Sequence, residues 1–370
     1  MDAISFLKRM PRWFQVYYLA AAVVLFSTGM HIPDGYLSPV TCAVMLALVL
    51  PFWIIGIRKI RETMSARSVP LIALMAAFSF VVMMFNVPLP GGTTGHAVGA
   101  ALAAIVLGPE IATIAISMAL VIQAVLFGDG GILAIGANCF NMAVVIPYVS
   151  YAIYQALARN SDVRSSRRLV GAALGGYVGL TLGAFFAGIE FGIQPALFRA
   201  ADGTPLYAPY PLSISIPAMV IPHMLVASVV EAILTVLVIA YLQRTNPQIL
   251  QATQAPALTG EAGKLKLRWL WVALGVLVVA TPLGLLAPGT AWGEWSASEL
   301  TGLGLGFIPK GLAHLSALWG APLPDYDLPA LGNASLGYIL SAAIGILVTV
   351  LLVWLFTALL TSRRRMQGDQ

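Results

Sequence analysis

The feature that most constrains this chain is its succession of long apolar runs. Stretches such as 69–86, 214–243 and 337–361 carry almost no charge. A bilayer core takes about 20 consecutive apolar residues per helix, which these runs supply. Composition agrees: 59% of the 370 residues are hydrophobic and only 9% are charged, against roughly 25% charged in soluble domains. In hydrocarbon every backbone polar group has to find an internal partner, so only helices and closed barrels span. The strict alternation of a barrel strand is absent, which predicts helices. The expected fold is therefore an all-α polytopic membrane protein.

Positive charge orients the spans, because Lys and Arg gather on the cytoplasmic side. Clusters stand at Arg58, Lys59, Arg61 and Arg67, at Arg159, Arg164, Arg167 and Arg168, at Arg244, Lys264, Lys266 and Arg268, and at Arg363, Arg364 and Arg365. The net charge of +5 belongs to these helix ends and implies no nucleic-acid partner. Between them the chain reads as spans near 40–57, 69–86, 110–127, 134–157, 169–192, 214–243, 269–287 and 337–361, with a shorter helix near 97–107. Gly108-Pro109 separates that short helix from the next. The polar segment 245–268 reads as a cytoplasmic linker. It divides a seven-span body, 30–244, from a two-span appendage, 269–370, whose loop 288–336 lies outside. Cys42 and Cys139 fall in apolar runs and read as buried thiols, without a disulfide framework.

Residues 1–29 have the form of a signal peptide: Lys8, Arg9 and Arg12, then "FQVYYLAAAVVLFS", then small residues at Ser27 and Gly29. Removal of this extension, or a start at Met30, leaves Met30 as the external N-terminus. An uncleaved anchor is the alternative. With Met30 free, its α-amine, the amide nitrogen of His31 and the His31 imidazole can close two fused chelate rings. The external stretch "NVPLPGGTTGH", 86–96, carries a second imidazole, His96. Pro88, Pro90, Gly91, Gly92 and Gly95 predict a tight turn there. Four nitrogens in a plane suit Ni(II) or Cu(II). Affinity should fall with pH, since the amine and imidazoles bind unprotonated. Pro33 stiffens the turn that follows, and Asp34, Asn138 and Asn141 are expected to hold the ligands in place.

Other ionisable residues in apolar surroundings are functional candidates. Glu110 opens a helix, where the dipole accounts for it. Asp129 in "GDGG" is expected in an external turn, and Glu190 lies near an outer helix end. His223 and Glu231 are about two turns apart on one helix, which fits a second metal site or, preferably, a packing hydrogen bond. Gly171, Gly175, Gly179 and Gly183 form a flat face, either for a partner subunit or for packing inside the body. Glu294, Glu299, Asp325, Asp327 and His314 in the external loop read as a solvated surface rather than a cation site, because they lack ligand spacing. The chain has no phosphate-binding Gly-x-x-x-x-Gly-Lys-Ser/Thr run, nucleophile elbow or His-Glu-x-x-His motif, so it cannot hydrolyse ATP by that route and is not expected to be an enzyme.

The segments "MHIPDGYLSPVTC", "PLPGGTTGHAVGAALAAIVLGP" and "QAVLFGDGGILAIGANCFNM" resemble the CbiM/NikM family, the substrate-binding M component of nickel/cobalt energy-coupling-factor transporters. The resemblance covers about 30–245 and implies an S-component-like helical body. It places the metal ligands at Met30, His31 and His96, with nickel favoured over cobalt by the Pro-Asp-Gly form of the opening. It further implies a transmembrane coupling subunit and cytoplasmic ABC-type ATPase subunits as partners, a site on the extracytoplasmic face of the plasma membrane, and no prosthetic group beyond the transported ion. Residues 269–361 resemble the small two-span N component of such systems. The competing readings are a stand-alone metal channel or secondary carrier and, less favoured, a membrane-embedded enzyme.

Overall fold

The computed structural model describes residues 30–63, 69–89, 93–252, 267–287, 290–302 and 305–368. The extension 1–29, the turn at 90–92, most of the linker (253–266), and Arg67, Lys264 and Lys266 lie outside the described residues.

The architecture is helical. Among the described residues, seven helices are long and apolar enough to cross a membrane. Five belong to the body: α1 (Pro39–Thr63), α4 (Pro109–Phe127), α5 (Ile135–Ala158), α6 (Ser166–Leu197) and α7 (Leu212–Thr245). Between α1 and α4 run the 15-residue α2 (Val69–Met83), a small antiparallel hairpin of β1 (Val87–Leu89) with β2 (Thr93–Gly95), and the half-length α3 (Ala100–Leu107). The short α8 (Pro247–Ala252) follows α7. The appendage contributes α9 (Arg268–Leu286) and α12 (Ala334–Gly368), with the small helices α10 (Ala297–Gly302) and α11 (Lys310–Leu315) in the loop between them.

The other expected spans appear among these helices, while 69–86 yields only the 15-residue α2 and 97–107 the eight-residue α3, and local details have local causes. Helix α3 stops at Gly108 and α4 restarts with Pro109 at its first position, where a missing N–H costs nothing. Helix α2 is apolar all round and is buried along almost its whole length, as such a helix must be. Pi-helical turns interrupt α4 at Gln123–Phe127, α5 at Cys139–Val145 and α7 at His223–Ala227. The glycine face of α6 resolves as internal packing. A Cβ at Gly171, Gly175, Gly179 or Gly183 would run into Tyr154, Ser150, Ile146 or Asn141 of α5, and Ser150 Oγ donates to the Gly175 carbonyl at 2.8 Å. Cys42 and Cys139 are buried free thiols.

One expectation gains detail and another needs correction. The start of the linker is docked on the body. Ile249 and Leu250 of α8 are buried, and the buried Arg168 guanidinium donates to the carbonyls of Leu250, Ser161 and Asp162 and to Tyr154 Oη. The external loop is not a plain solvated surface. Trp292 and Trp295 pack among Phe191 and Tyr210 of the body, and Tyr36 Oη donates to the Trp295 carbonyl at 2.7 Å. Helix α12 lies along α2, with Gly345 against the Phe80 ring and Tyr338 Oη donating to the Met84 carbonyl at 3.1 Å. The appendage therefore sits on the body over the end of α2 from which the hairpin and His96 emerge.

Candidate metal centre

The segment Met30–Pro33 precedes α1 without regular secondary structure and lies inside the protein: Met30, His31 and Ile32 are 1%, 2% and 0% exposed. What holds it there is the backbone of Ile32. Its N–H donates to Asn138 Oδ1 at 2.8 Å, and its carbonyl accepts from Asn138 Nδ2 at 3.0 Å and from the Gly131 N–H at 2.9 Å. A single amide side chain at the start of α5 thus clamps both polar groups of the residue following His31. Gly130, at φ 85°, leaves room for this clamp: a Cβ there would meet Asn138 Nδ2.

His96 follows β2 and is buried. Its Nδ1 lies 3.0 Å from the Ala97 carbonyl, which assigns the proton to Nδ1 and leaves Nε2 as the lone-pair nitrogen. The chain then turns through Gly99, at φ 73°, into α3. Glu231 of α7 accepts the N–H groups of Val98 (2.9 Å), Gly99 (2.8 Å) and Ala101 (3.1 Å). This carboxylate caps the open N-terminus of α3, where orphan donors and the helix dipole favour negative charge.

The two imidazoles meet. Their ring centroids are 4.9 Å apart with planes at 87°. His31 Nδ1 lies 2.7 Å from Asp129 Oδ1 in an ion-pair contact that is out of line for a hydrogen bond, and His31 Nε2 has no protein partner among the described residues. Burial acts to lower the pKa of His31, but the Asp129 carboxylate outweighs it and leaves the group raised. Asp129 acts on His96 as well, but too weakly to offset the opposing effects. Burial and the neighbouring His31 push it down to about 3, so it is a neutral imidazole at pH 7. Asp129 is held below its usual range because His31 prevails over the cost of burying the carboxylate.

A cavity of about 320 Å³ opens over this pair, lined by His31, His96, Asp129, Glu294, Asp325 and Tyr326 among others. The last three come from the appendage. Tyr326 is buried and donates from Oη to Asp129 Oδ2 at 2.5 Å; Gln123 Nε2 donates to Tyr326 Oη at 2.9 Å. Glu294 interacts with the backbone N–H of His31, and burial together with Asp129 raises its pKa to about 8.

The residues that the sequence nominates for the site therefore divide in two. His31 and His96 come together, with Met30 buried beside His31. Asn138 clamps the segment that carries His31. Asp34 does not touch either histidine. Its carboxylate accepts the N–H groups of Ile132, Leu133 and Ala134 at 2.8–3.3 Å, so it shapes the 130–134 loop and reaches the histidines only through it. Asn141 lies elsewhere, donating to Glu190 Oε2 at 2.9 Å. His223 and Glu231 form no joint site: His223 Nδ1 pairs with the Met219 carbonyl at 2.7 Å while Glu231 caps α3. Among the described residues, no group of three or more His, Cys, Asp or Glu side chains is placed to hold a metal by itself. His314 is exposed, and Glu299 is committed to a capping box with Ser296 at the start of α10. Sequence reasoning placed Asp129 in an external turn and Glu294 on a solvated loop, with no part for either beside the histidines, and it did not single out Tyr326. A usable signal was present for one of them: "WGEW", 292–295, sets a glutamate between two tryptophans, the composition of a docking loop rather than a solvated one.

Comparison with known proteins bears on this arrangement. Residues 31–249 match the family model CbiM, described as the cobalt uptake substrate-specific transmembrane region, and residues 266–362 match the PDGLE domain. A fused nickel transport protein NikMN of Rhodobacter capsulatus is 50% identical over 91% of this chain and 99% of its own length. A probable fused nickel transport protein LarMN of Lactiplantibacillus plantarum is 43% identical over 88% and 96%. The crystal structure of a transition metal transporter superposes with a TM-score of 0.56 at 48% identity, covering 62% of this chain and all of that one. With its body matched from His31 to Ile249 and its homology to the fused transporters running through the appendage, the chain belongs to the CbiM family.

Proposed function

We propose that the chain is the substrate-capture membrane subunit of an ATP-driven importer of the energy-coupling-factor type, taking up Ni(II) or Co(II) with nickel favoured. The relatives named for nickel transport match both its body and its appendage. The observation that carries the reading is the meeting of two buried imidazoles, 4.9 Å apart, beside Met30 at the floor of a cavity.

In this reading the ion binds the Met30 amine, the His31 amide and imidazole, and His96. The chelate ring that includes the amide uses His31 Nδ1, the nitrogen that faces Asp129. Loading therefore exchanges Asp129 for the ion at that nitrogen. His96 is already neutral, with its Nδ1 proton placed on Ala97. The site faces outward across the plasma membrane, and release to the cytoplasm is driven by ATPase subunits acting through a transmembrane coupling protein. Those partners supply the hydrolysis.

Intact mass of the purified protein, followed by nickel titration, tests the reading. A mature chain starting at Met30 should bind nickel with the visible absorption of a square-planar nitrogen site. His96→Ala should abolish binding. A chain still carrying residues 1–29 that binds nickel, or His96→Ala binding as well as the parent, would sink it.

A further inference from the structure

We propose that Tyr326, carried by the appendage, is a positioning residue of the metal centre and acts through Asp129. The proposal rests on the reading of His31 and His96 as metal ligands and adds to it a contribution from the C-terminal unit.

Three observations converge on Tyr326. Its hydroxyl donates to Asp129 Oδ2, while the other carboxylate oxygen, Oδ1, contacts His31 Nδ1. The phenol thus reaches His31 through one carboxylate, from a residue 197 positions away from Asp129 in sequence. The phenol is itself fixed on all sides. Gln123 donates to it, and its ring stacks on Phe127 at 4.6 Å and 20° and meets Phe80 and Tyr338 edge-on. Finally, the backbone bends to deliver it: Asp325 and Tyr326 both adopt positive φ, 54° and 58°. A conformation this unfavourable for residues with a side chain persists only where surrounding contacts enforce it.

The chemistry needs such a fixture. Carboxylates outside the ligand set tune a metal centre and are themselves held by further hydrogen bonds. Before loading, the pinned Asp129 holds the His31 ring edge-on to His96. After Nδ1 turns to the ion, the same pin keeps a negative charge beside the cation. Without the Tyr326 hydroxyl, Asp129 Oδ2 retains only the 3.4 Å contact with Gln123 Nε2, and both the ring orientation and the fixed charge loosen.

Nickel titration of the full chain in detergent decides this, using Tyr326→Phe, Asp129→Asn, the double variant and His96→Ala. Outer partners of metal ligands typically change affinity about 10–100-fold. Tyr326→Phe should weaken nickel binding by about 10-fold, as should Asp129→Asn. The double variant should be no weaker than Asp129→Asn alone, because the phenol acts through the carboxylate. A merely structural tyrosine would not give that non-additivity. Parental affinity in Tyr326→Phe, or full additivity in the double variant, would overturn the proposal while leaving the four-nitrogen reading intact. Parental affinity in His96→Ala would instead remove the reading beneath it.

Discussion

Asn138 illustrates how much of the candidate centre depends on residues that are not ligands. Its side chain satisfies both the N–H and the carbonyl of Ile32, in a place closed to solvent. Truncation to alanine leaves a buried N–H without that partner, while the carbonyl keeps Gly131. A buried donor so stranded costs about 1–3 kcal/mol, and here the cost falls on the docked segment that carries His31. Asn138→Ala should therefore weaken nickel binding by roughly 10-fold or more, since about 1.4 kcal/mol is a factor of ten. Titration of the variant against the parent, with Asn141→Ala as a control distant from the segment, checks this; equal losses in both would show a general loosening of α5. The candidate histidines stand out in the sequence. A histidine second in a chain that starts at Met30, and another closing a glycine-rich external stretch, are chemically distinctive wherever they stand. Asp129 and Tyr326 were not legible, because their meaning lies in a contact across 197 residues that no local pattern encodes.

At the scale of elements, the membrane spans could be read from the sequence because bilayer thickness imposes a length on each apolar run. Half-length elements are harder. Helix α3 is too short to span, and its start is fixed by Glu231 from α7 rather than by a capping residue of its own. The sequence offered Glu231 as a packing or metal residue, because nothing local says that a carboxylate on one helix will seat the N-terminus of another. This capping joins the stretch that carries His96 to α7: Val98, whose N–H Glu231 accepts, is only two residues beyond His96. Glu231→Ala strips three backbone donors of their acceptor in a buried setting. We expect it to cost at least about 3 kcal/mol and to lower the thermal unfolding midpoint of the purified protein markedly. Glu231→Gln keeps one acceptor oxygen and should fall between the alanine variant and the parent. Unfolding followed in detergent, with and without nickel, checks both. If the cap serves only α3, nickel should stabilise Glu231→Gln as much as the parent; if it also seats His96, that stabilisation should shrink. Glycine spacing on α6 carried the opposite ambiguity. A flat glycine face is equally compatible with a partner outside and a neighbour inside, and only the placement of α5 decided for the neighbour.

At the scale of the whole molecule, the arrangement poses a problem of release. Under the proposed function, an ion gripped by four nitrogens leaves slowly unless the protein passes to a state that binds it less well. A shift to that state has to be driven by something that favours it, since a bound ligand stabilises only the state it prefers. The chain carries no nucleotide-binding loop, so under the proposed function the drive comes from ATPase partners. A stand-alone channel or carrier makes the opposite demand, because its ion has to exchange on its own. The two are separable in cells by expressing this chain alone, then with coupling and ATPase subunits of such an importer, then with ATPases inactivated in their phosphate-binding loops. The proposed function expects radioactive nickel to accumulate only with active ATPases, while nickel binding by the purified chain stays the same whether or not they are present. Accumulation by the chain alone, abolished by His96→Ala, would show that the same centre works as an independent carrier. Accumulation with inactive ATPases at the level seen with active ones would say the same of the complex. The appendage contributes Glu294, Asp325 and Tyr326 to the wall of the cavity, so under the proposed function it stands on the side from which the ion enters.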